Sequence, residues 1–263
     1  MPNAAADQPE PSLSLGFGGR WVVVTGASSG IGRAIAIELS AQGAGVIACG
    51  RDQGRLAETA QALGDRPHRL LALDLAQHAE IVPAVQRLRA DVGPIYGLCH
   101  AAGIVQTRPL ASNSVDVVRS QMDINLVAGL ELARAVCRRD VLASEGGSLL
   151  FISSIYGRVG MAGQIGYCAT KGALAAAVRA LAVELARRKV RANCLSPGLV
   201  MTAMTEQSLS LLSADHVEHL KAAHPLGAGE PADVAHAAAF LLSPAARWIT
   251  GVDLPVDGGF TAQ

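Results

Sequence analysis

Aromatic side chains and net charge are both scarce in this sequence. Only 3% of its residues are aromatic, and 22 basic residues balance 22 acidic ones. A neutral chain creates no field that would draw it to nucleic acid or to an anionic membrane surface. No apolar run approaches the length that crosses a bilayer. We therefore expect neither nucleic acid nor a membrane as a partner.

The sequence also has no CxxC pair of cysteines, and we expect no signal peptide. The five cysteines, at positions 49, 99, 137, 168 and 194, form no CxxC pair, so we expect reduced thiols and no disulfides. His216 and His219 have no evident third ligand, and we expect no metal. Residues 1–19 lack the basic start and apolar core of a signal peptide. We interpret them as a disordered N-terminal tail, and the protein as cytoplasmic.

Small and branched apolar residues supply most of the chain. Half of the 263 residues are hydrophobic, and short apolar runs alternate with longer helical periods from Trp21 to Val256. Such alternation predicts a single-domain Rossmann-type α/β fold over 20–263, a doubly wound parallel sheet with helices on both faces. The polar interruption at 201–229 is longer than an ordinary loop. We interpret it as a substrate lid; the alternative is a helix pair that only packs.

A glycine-rich turn follows the first predicted strand and opens the first predicted helix. Its sequence from Thr25 to Gly32 is TGASSGIG. Glycines let backbone N–H groups approach a pyrophosphate, and the N-terminus of the helix adds a partial positive charge. The turn therefore predicts a dinucleotide site that includes Gly26, Ser28, Ser29, Gly30, Ile31 and Gly32.

The end of the second predicted strand bears on which dinucleotide binds. An acidic side chain there would bind the adenosine ribose of NAD, whereas an arginine can pair with the 2′-phosphate of NADP. Gly50 takes the acidic position, Arg51 follows it, and Asp52 has the character of a helix N-cap. This pattern favours NADP(H). In the alternative, Arg51 is only solvated, Asp52 reaches the ribose, and NAD(H) is preferred.

Tyr167 and Lys171 are four residues apart, on one face of a predicted helix. A tyrosine with an ordinary pKa of about 10 is a poor acid or base at neutral pH. A nearby cation stabilises the phenolate and lowers that pKa. The pair therefore predicts a proton-transfer site, although the same spacing also occurs in surface helix pairs.

The glycine turn, followed in order by Asn125, Ser154, Tyr167 and Lys171, resembles the short-chain dehydrogenase/reductase family. The resemblance extends over nearly the whole chain from Arg20 onward. It implies that Tyr167 exchanges a proton with the substrate oxygen and that Lys171 binds the nicotinamide ribose and lowers the tyrosine pKa. In the family the catalytic serine precedes the tyrosine by thirteen positions, which selects Ser154 over Ser153 as the hydrogen-bond donor to the substrate oxygen.

The resemblance also assigns residues outside the glycine turn. Asn125 would hold a water that links Lys171 to solvent. Further cofactor contacts are implied for Asp74, Leu75, Ala102, Gly103, Tyr167, Lys171, Pro197, Gly198, Val200 and Thr202. One departure is clear: the family usually has Asn-Asn-Ala-Gly where this chain has His100-Ala101-Ala102-Gly103. We expect His100 to replace one of the amides that brace the central sheet.

Within the family, the segment from Ser154 to Tyr167 is most like the 3-oxoacyl-(acyl-carrier-protein) reductases. That likeness suggests a 3-oxoacyl thioester substrate, on carrier protein or CoA. Arg188 matches a position used in carrier docking, but Glu145 reverses the charge at the other such position. Substrate contacts are implied for Ser154, Ile155, Met161, Gln164, Tyr167 and Met204.

Two other functions stay open at the level of sequence. One is a reductase or dehydrogenase of a free small ketone, alcohol or sugar. The other is a catalytically silent nucleotide-binding scaffold. By analogy with the family we expect a homotetramer, in which the helices at 115–142 and 166–188 form one interface.

Overall fold

Parallel strands form one sheet in the computed structural model, which describes residues 15–210 and 213–263 apart from the side chain of His216. In this part of the chain seven strands lie in the order β3-β2-β1-β4-β5-β6-β7. They are β1 (Trp21–Thr25), β2 (Gly45–Gly50), β3 (His68–Ala72), β4 (Ile95–His100), β5 (Gly147–Ile152), β6 (Val190–Pro197) and β7 (Asp253–Val256). The predicted doubly wound Rossmann-type sheet is confirmed.

Helices connect the strands and cover both faces of the sheet. They are α1 (Gly30–Ala41), α2 (Gln53–Leu63), α3 (His78–Val92), α4 (Val115–Met122), α5 (Ala128–Val136), α6 (Ile165–Leu185), α7 (Ala203–Leu209), α8 (Ala214–Ala222) and α9 (Pro231–Leu242). Among the described residues, no helix is long and apolar enough to cross a membrane.

The two faces of the sheet pack against different helices because successive strand residues point in opposite directions. On β1, Val22 and Val24 lie in the core with α1, α2 and α9. Val23 between them lies in the core with α3, α5 and α6. All five cysteines are free, and four of them are buried. The apolar run of β1 is therefore buried on both faces, as parallel strands usually are.

The structure corrects the predicted boundary of the N-terminal tail. Residues 1–14 lie outside the described part of the chain, but residues 15–19 are placed against the domain. Phe17 is fully buried in the core beside α1 and α9, and its carbonyl oxygen accepts a hydrogen bond from Arg20 at 3.0 Å. A single aromatic residue has no periodic pattern around it, so the sequence gives no sign of this burial.

The helical segment predicted from Val115 to Leu142 ends six residues earlier and contains an irregularity. A π turn at Asp123–Val127 separates α4 from α5, and α5 ends at Val136. The π turn carries Asn125, whose side chain bonds to Ile104 on a neighbouring loop. Hydrophobic spacing alone does not reveal a π turn, since one inserted residue leaves the helical pattern on both sides intact.

Candidate active site

The predicted site residues converge at the carboxyl ends of the central strands. The glycine turn follows β1, Ala102 and Gly103 follow β4, Ser154 follows β5, and Gly198 follows β6. β1 lies between β2 and β4, so the chain winds in opposite directions on either side of it. Ligands of open α/β sheets bind at such a switch point, outside the carboxyl ends of the strands.

The glycine turn is shaped by close approach of the backbone. Gly26 has a φ of +68°, and a Cβ on it would lie 2.9 Å from the backbone nitrogen of Ala102. A Cβ on Gly32 would collide with the carbonyl oxygen of Gly26. Ser29 is the N-cap of α1 and makes no side-chain capping bond. The turn thus passes directly beside the loop after β4 and presents the N-terminus of α1 at the edge of the sheet.

The far side of the glycine turn faces the end of β2. A Cβ on Gly50 would lie 3.3 Å from both Cβ and Oγ of Ser28. Arg51, the next residue, is exposed. Asp52 is the N-cap of α2, where it accepts the backbone N–H of Arg55 at 3.0 Å and pairs with the guanidinium of Arg55 at 2.9 Å. The prediction of Asp52 as an N-cap is confirmed.

Ser154, Tyr167 and Lys171 form one cluster between β5 and α6. The Ser154 side chain lies beside the Tyr167 phenol and acts to lower its pKa, and Nζ of Lys171 lies 5.5 Å from the centre of the Tyr167 ring. Ser153 has a different partner, because its Oγ donates to the carbonyl oxygen of Lys171 at 2.8 Å. The structure therefore brings together the three residues that the sequence selected and directs the Ser153 hydroxyl to the backbone of α6.

Burial controls the proton affinities of this cluster. It raises the pKa of Tyr167 to about 12, against the opposing effect of the Ser154 side chain. It also lowers the pKa of Lys171 to about 8. The expectation that Lys171 lowers the pKa of Tyr167 is not met here, because desolvation of the phenol is the largest influence and Lys171 is not among the groups that lower the pKa. The Lys171 ammonium itself donates to the carbonyl oxygen of Ile152 at 2.7 Å. Desolvation of the phenol exceeds the other contributions.

Asn125 lies at the inner end of the cluster, in the π turn. It is fully buried, its Oδ1 accepts the backbone N–H of Ile104 at 2.8 Å, and its Nδ2 donates to the Ile104 carbonyl oxygen at 2.9 Å. Nδ2 also lies 3.1 Å from Oγ1 of Thr170, the residue before Lys171. A Cβ on Gly103 would lie 3.4 Å from both Asn125 Oδ1 and Lys171 Nζ. The loop after β4 therefore passes against both side chains.

The predicted cofactor residues downstream lie on the same edge of the sheet. Thr202 is the N-cap of α7, and its Cγ2 would be 3.4 Å from a Cβ on Gly30. Pro197 ends β6, and Gly198 donates its N–H to the Val256 carbonyl oxygen at 3.0 Å. Beyond β3, Leu75 is buried, whereas the exposed Asp74 accepts the backbone N–H of Ala76 at 3.1 Å.

The predicted substrate residues differ in their surroundings. Ile155 is buried beneath the loop after β5, Met161 is half-buried, and Met204 on α7 is 54% exposed. Gln164 is the N-cap of α6. One end of its amide donates to Thr107 Oγ1 at 3.4 Å, and the other end is buried without a hydrogen-bond partner among the described residues.

The segment predicted as a lid is joined to the sheet at both of its ends. It contains α7 and α8, and residues 211 and 212 between them lie outside the described part of the chain. Its two ends meet where Met201 donates to the Gly229 carbonyl oxygen at 2.8 Å and Gly229 donates to the Leu199 carbonyl oxygen at 2.8 Å. Val200 at this attachment is buried. A role as a lid stays a prediction.

One side chain at the site was missed by the sequence reasoning. His224, in the segment between α8 and α9, is buried. Its Nε2 accepts the backbone N–H of Leu199 at 3.0 Å, its Nδ1 lies 2.8 Å from the Leu220 carbonyl oxygen, and its ring stacks on Phe260. It joins the end of α8 to the segment after β6. An isolated histidine in a polar stretch carries no sequence signal for such a contact.

Known proteins are similar to this chain over most of its length. A family model described as enoyl-(acyl carrier protein) reductase matches residues 26–261. A human 3-oxoacyl-[acyl-carrier-protein] reductase is 36% identical over 238 residues, which are 90% of this chain and 95% of that protein. A D-threitol dehydrogenase from Mycolicibacterium smegmatis is 35% identical over 248 residues, 93% of this chain and 94% of that protein.

A solved structure also matches nearly the whole chain. It is a protein from Beutenbergia cavernae described as an NAD(P)-dependent gluconate 5-dehydrogenase, with bound NADP at low occupancy. The two structures superpose with a TM-score of 0.89 at 34% sequence identity, and the match covers 95% of this chain and 100% of the other.

Proposed function

The chain belongs to the short-chain dehydrogenase/reductase family and is an oxidoreductase, and from this premise we propose that it uses NADP(H) to interconvert a carbonyl and a secondary alcohol. The observation that carries the proposal is the buried cluster of Ser154, Tyr167 and Lys171 beside the glycine turn. It combines a hydroxyl, a phenol and an ammonium group at the switch point of the sheet.

The residues at the switch point suit a dinucleotide. A Cβ at Gly26 or Gly32 would strike neighbouring backbone, so only glycine permits the tight turn that leads into α1, whose N-terminus would bind a pyrophosphate. Around it, the cofactor would be held by Ser28, Ser29, Gly30, Ile31, Arg51, Asp74, Leu75, Ala102, Gly103, Tyr167, Lys171, Pro197, Gly198, Val200 and Thr202. When bound, the nicotinamide supplies a hydride to the carbonyl carbon or accepts one from the alcohol.

The chain's own residues would manage the proton. Because burial raises the pKa of Tyr167 to about 12, the phenol is protonated at neutral pH, which is the form that donates to a carbonyl oxygen during reduction. Ser154 would donate a second hydrogen bond to the same oxygen and stabilise the charge that develops there. Lys171 would bind the nicotinamide ribose, and Asn125 would hold the water through which Lys171 exchanges protons.

A direct experiment replaces the phenol. We expect Tyr167→Phe to lose at least about a hundredfold in carbonyl reduction, since general acid catalysis contributes about 10²–10⁴-fold. Tyr96→Phe is the matched control, because Tyr96 is a buried tyrosine on β4 that lies beside Arg191. Reduction that survives in Tyr167→Phe would refute the assigned role. A wild-type protein that binds NADPH but reduces nothing in a broad panel would favour a silent scaffold.

The preference for NADP(H) rests on Gly50 and Arg51. Ser28 lies so close to Gly50 that an acidic side chain has little room there, and the carboxylate of Asp52 is engaged by Arg55. The exposed guanidinium of Arg51 is available to a 2′-phosphate. We expect Arg51→Ala to raise KM for NADPH about tenfold and leave KM for NADH unchanged, a loss in line with one charged hydrogen bond.

Arg66→Ala is the control for this substitution. Arg66 is also exposed, but it precedes β3 and so lies at the amino-terminal end of the strands, away from the candidate site. Steady-state kinetics with both cofactors provide the measurement. A wild-type enzyme that prefers NADH would show that the assignment of NADP(H) is wrong.

We propose two substrate classes. A 3-oxoacyl thioester, on carrier protein or CoA, is supported by the likeness of the Ser154–Tyr167 segment and by the exposed Arg188 beyond α6. A free small ketone, alcohol or sugar is supported by Glu145, whose carboxylate pairs with Arg20 at 3.2 Å where carrier docking would need a cation. The unpaired end of the Gln164 amide offers a hydrogen bond to either class.

A screen with NADPH separates the two classes. It should contain acetoacetyl-CoA, a carrier-bound acetoacetyl thioester, simple ketones and hydroxyketones. A carrier-bound substrate should lose kcat/KM in Arg188→Glu, whereas a free ketone should not, because only the carrier makes contact outside the pocket.

A further inference from the structure

His100 connects two parts of the candidate site that are far apart in sequence. It ends β4 and is fully enclosed, with 1% of its surface exposed. Its Nδ1 lies 3.0 Å from Oγ1 of Thr25, the last residue of β1. Its Nε2 lies 3.1 Å from the carbonyl oxygen of Ile124, which precedes Asn125 in the π turn. One ring thus spans the distance between the glycine turn and the π turn.

The partners of the ring determine where its protons lie. A carbonyl oxygen can only accept, so Nε2 carries the hydrogen and donates to Ile124. Nδ1 is then the acceptor, and Thr25 donates its hydroxyl hydrogen to it. The remaining lone pairs of Thr25 Oγ1 accept the backbone N–H of Ala102 at 3.1 Å. Burial, together with the charge of Lys171, lowers the pKa of His100 to about 4, so the ring is neutral and this pattern is maintained near neutral pH.

The short segment Ala102–Ile104 is held at both ends by this arrangement. At its start, Ala102 donates to Thr25. At its end, Ile104 exchanges two hydrogen bonds with the Asn125 amide. Between them, Gly103 passes against Asn125 and Lys171. Because His100 bonds to both Thr25 and the π turn, it sets the separation between the two attachments.

The surroundings of the ring leave it little freedom. A Cβ on Gly129, at the start of α5, would lie 2.6 Å from Cδ2 of His100. The Phe151 ring of β5 packs against it edge-on, with centroids 6.2 Å apart. The missing side chain at Gly129 makes room for an imidazole, and a methyl group there would displace the ring.

We propose that His100 is a positioning residue for the cofactor: as one neutral tautomer it joins Thr25 to the π turn, and so places the Ala102–Gly103 backbone and Asn125 at the spacing that NADP(H) requires. The inference rests on the proposed function and extends it to a residue that touches neither cofactor nor substrate. The side chain acts through Thr25, Ala102 and Asn125.

The test compares two substitutions at this position. His100→Phe keeps an aromatic ring but leaves Thr25 and the Ile124 carbonyl oxygen without their partner. We expect it to raise the Kd for NADPH and lower kcat, each about tenfold, as for loss of a buried hydrogen bond, while KM for the carbonyl substrate does not change. His100→Gln should recover most of the binding, because one end of its amide donates and the other accepts. Fluorescence titration with NADPH measures Kd independently of turnover.

Val136→Ala serves as the control, because Val136 is a buried residue of α5 whose truncation lowers stability without touching this network. Equal losses of NADPH affinity in Val136→Ala and His100→Phe would overturn the inference, and so would a folded His100→Phe that binds NADPH like the wild type. If His100→Phe does not fold, Gly129→Ala provides the test, because its methyl group would displace the His100 ring. Unchanged NADPH affinity in Gly129→Ala would also overturn the inference. A wild-type chain that binds neither NADPH nor NADH would refute the proposed function itself.

Discussion

Tyr167 and Lys171 show how burial can outweigh proximity at the scale of single residues. The two are close enough for the ammonium to lie over the phenol ring, yet burial moves both pKa values toward the neutral forms. The free energy that each charged form loses by leaving water exceeds what it gains from its neighbours in the cluster. Lys171 compensates by donating to the Ile152 carbonyl oxygen.

This balance predicts a pH dependence. The pKa of Lys171 is lowered to about 8, so its positive charge is present below that pH and is lost as the pH rises through it. We expect kcat/KM for carbonyl reduction to be level from pH 6 to about 7 and to fall above about 8, because Lys171 then loses the charge with which it would bind the nicotinamide ribose. Rate measurements over this range, with stability monitored in parallel, test the expectation.

Lys171→Arg supplies the comparison. A guanidinium keeps its charge to much higher pH, so the alkaline fall should move upward even if the absolute rate is lower. A wild-type profile without a break between neutral pH and pH 9 would contradict the assignment to Lys171.

At the scale of elements, the C-terminal end of α9 is stabilised by a side chain from the sheet. The last turn of α9 is closed by Arg191 of β6, a buried guanidinium that donates to the carbonyl oxygens of Leu241 at 2.6 Å, Leu242 at 3.1 Å and Ser243 at 2.9 Å. A cation at a helix C-terminus also meets the negative end of the helix dipole. α9 covers one face of the sheet beside α1, so this contact secures a whole layer.

We expect Arg191→Met to cost about 3 kcal/mol of unfolding free energy, because several buried carbonyl oxygens lose their donor at once. Arg134→Ala is the control: Arg134 forms an exposed ion pair with Glu131, and such pairs contribute little to stability because water screens them. Denaturant unfolding of the two variants measures both losses. Similar losses in the two would show that Arg191 does not secure α9.

At the scale of the whole molecule, the exposed outer face of α6 bears on how chains assemble. α6 covers the sheet with Leu174, Val178 and Ala182, while its outer face carries the exposed Ala176, Ala180 and Val183. Val183 is 81% exposed. We propose that this face, together with α4 and α5, forms one interface of a homotetramer, since small side chains let helices approach closely.

A charge on this face should oppose association. We expect Val183→Asp to reduce the sedimenting mass below that of four chains, because a carboxylate would be buried without a partner. Leu70→Asp is the control, since Leu70 is also exposed but lies on β3 at the opposite edge of the sheet. A wild-type chain that sediments as a monomer at micromolar concentration would show that the proposal is wrong.

Local patterns were enough to predict the order of strands and helices, the glycine turn, the N-cap at Asp52, and the pair Tyr167 and Lys171, whereas Ser154 followed from the family resemblance. Each of these depends on side chains that are close together in the chain, or on a motif whose spacing is itself the signal. The sequence by itself therefore determined the fold class and the components of the site.

Only the tertiary structure decided how those components influence one another. The burial of Phe17, the π turn that holds Asn125, and the pKa values of Tyr167 and Lys171 all depend on neighbours from distant parts of the chain. The same is true of His100, whose two partners come from β1 and the π turn. Desolvation and hydrogen-bond pairing are set by what surrounds a group in space, and no local pattern contains that information.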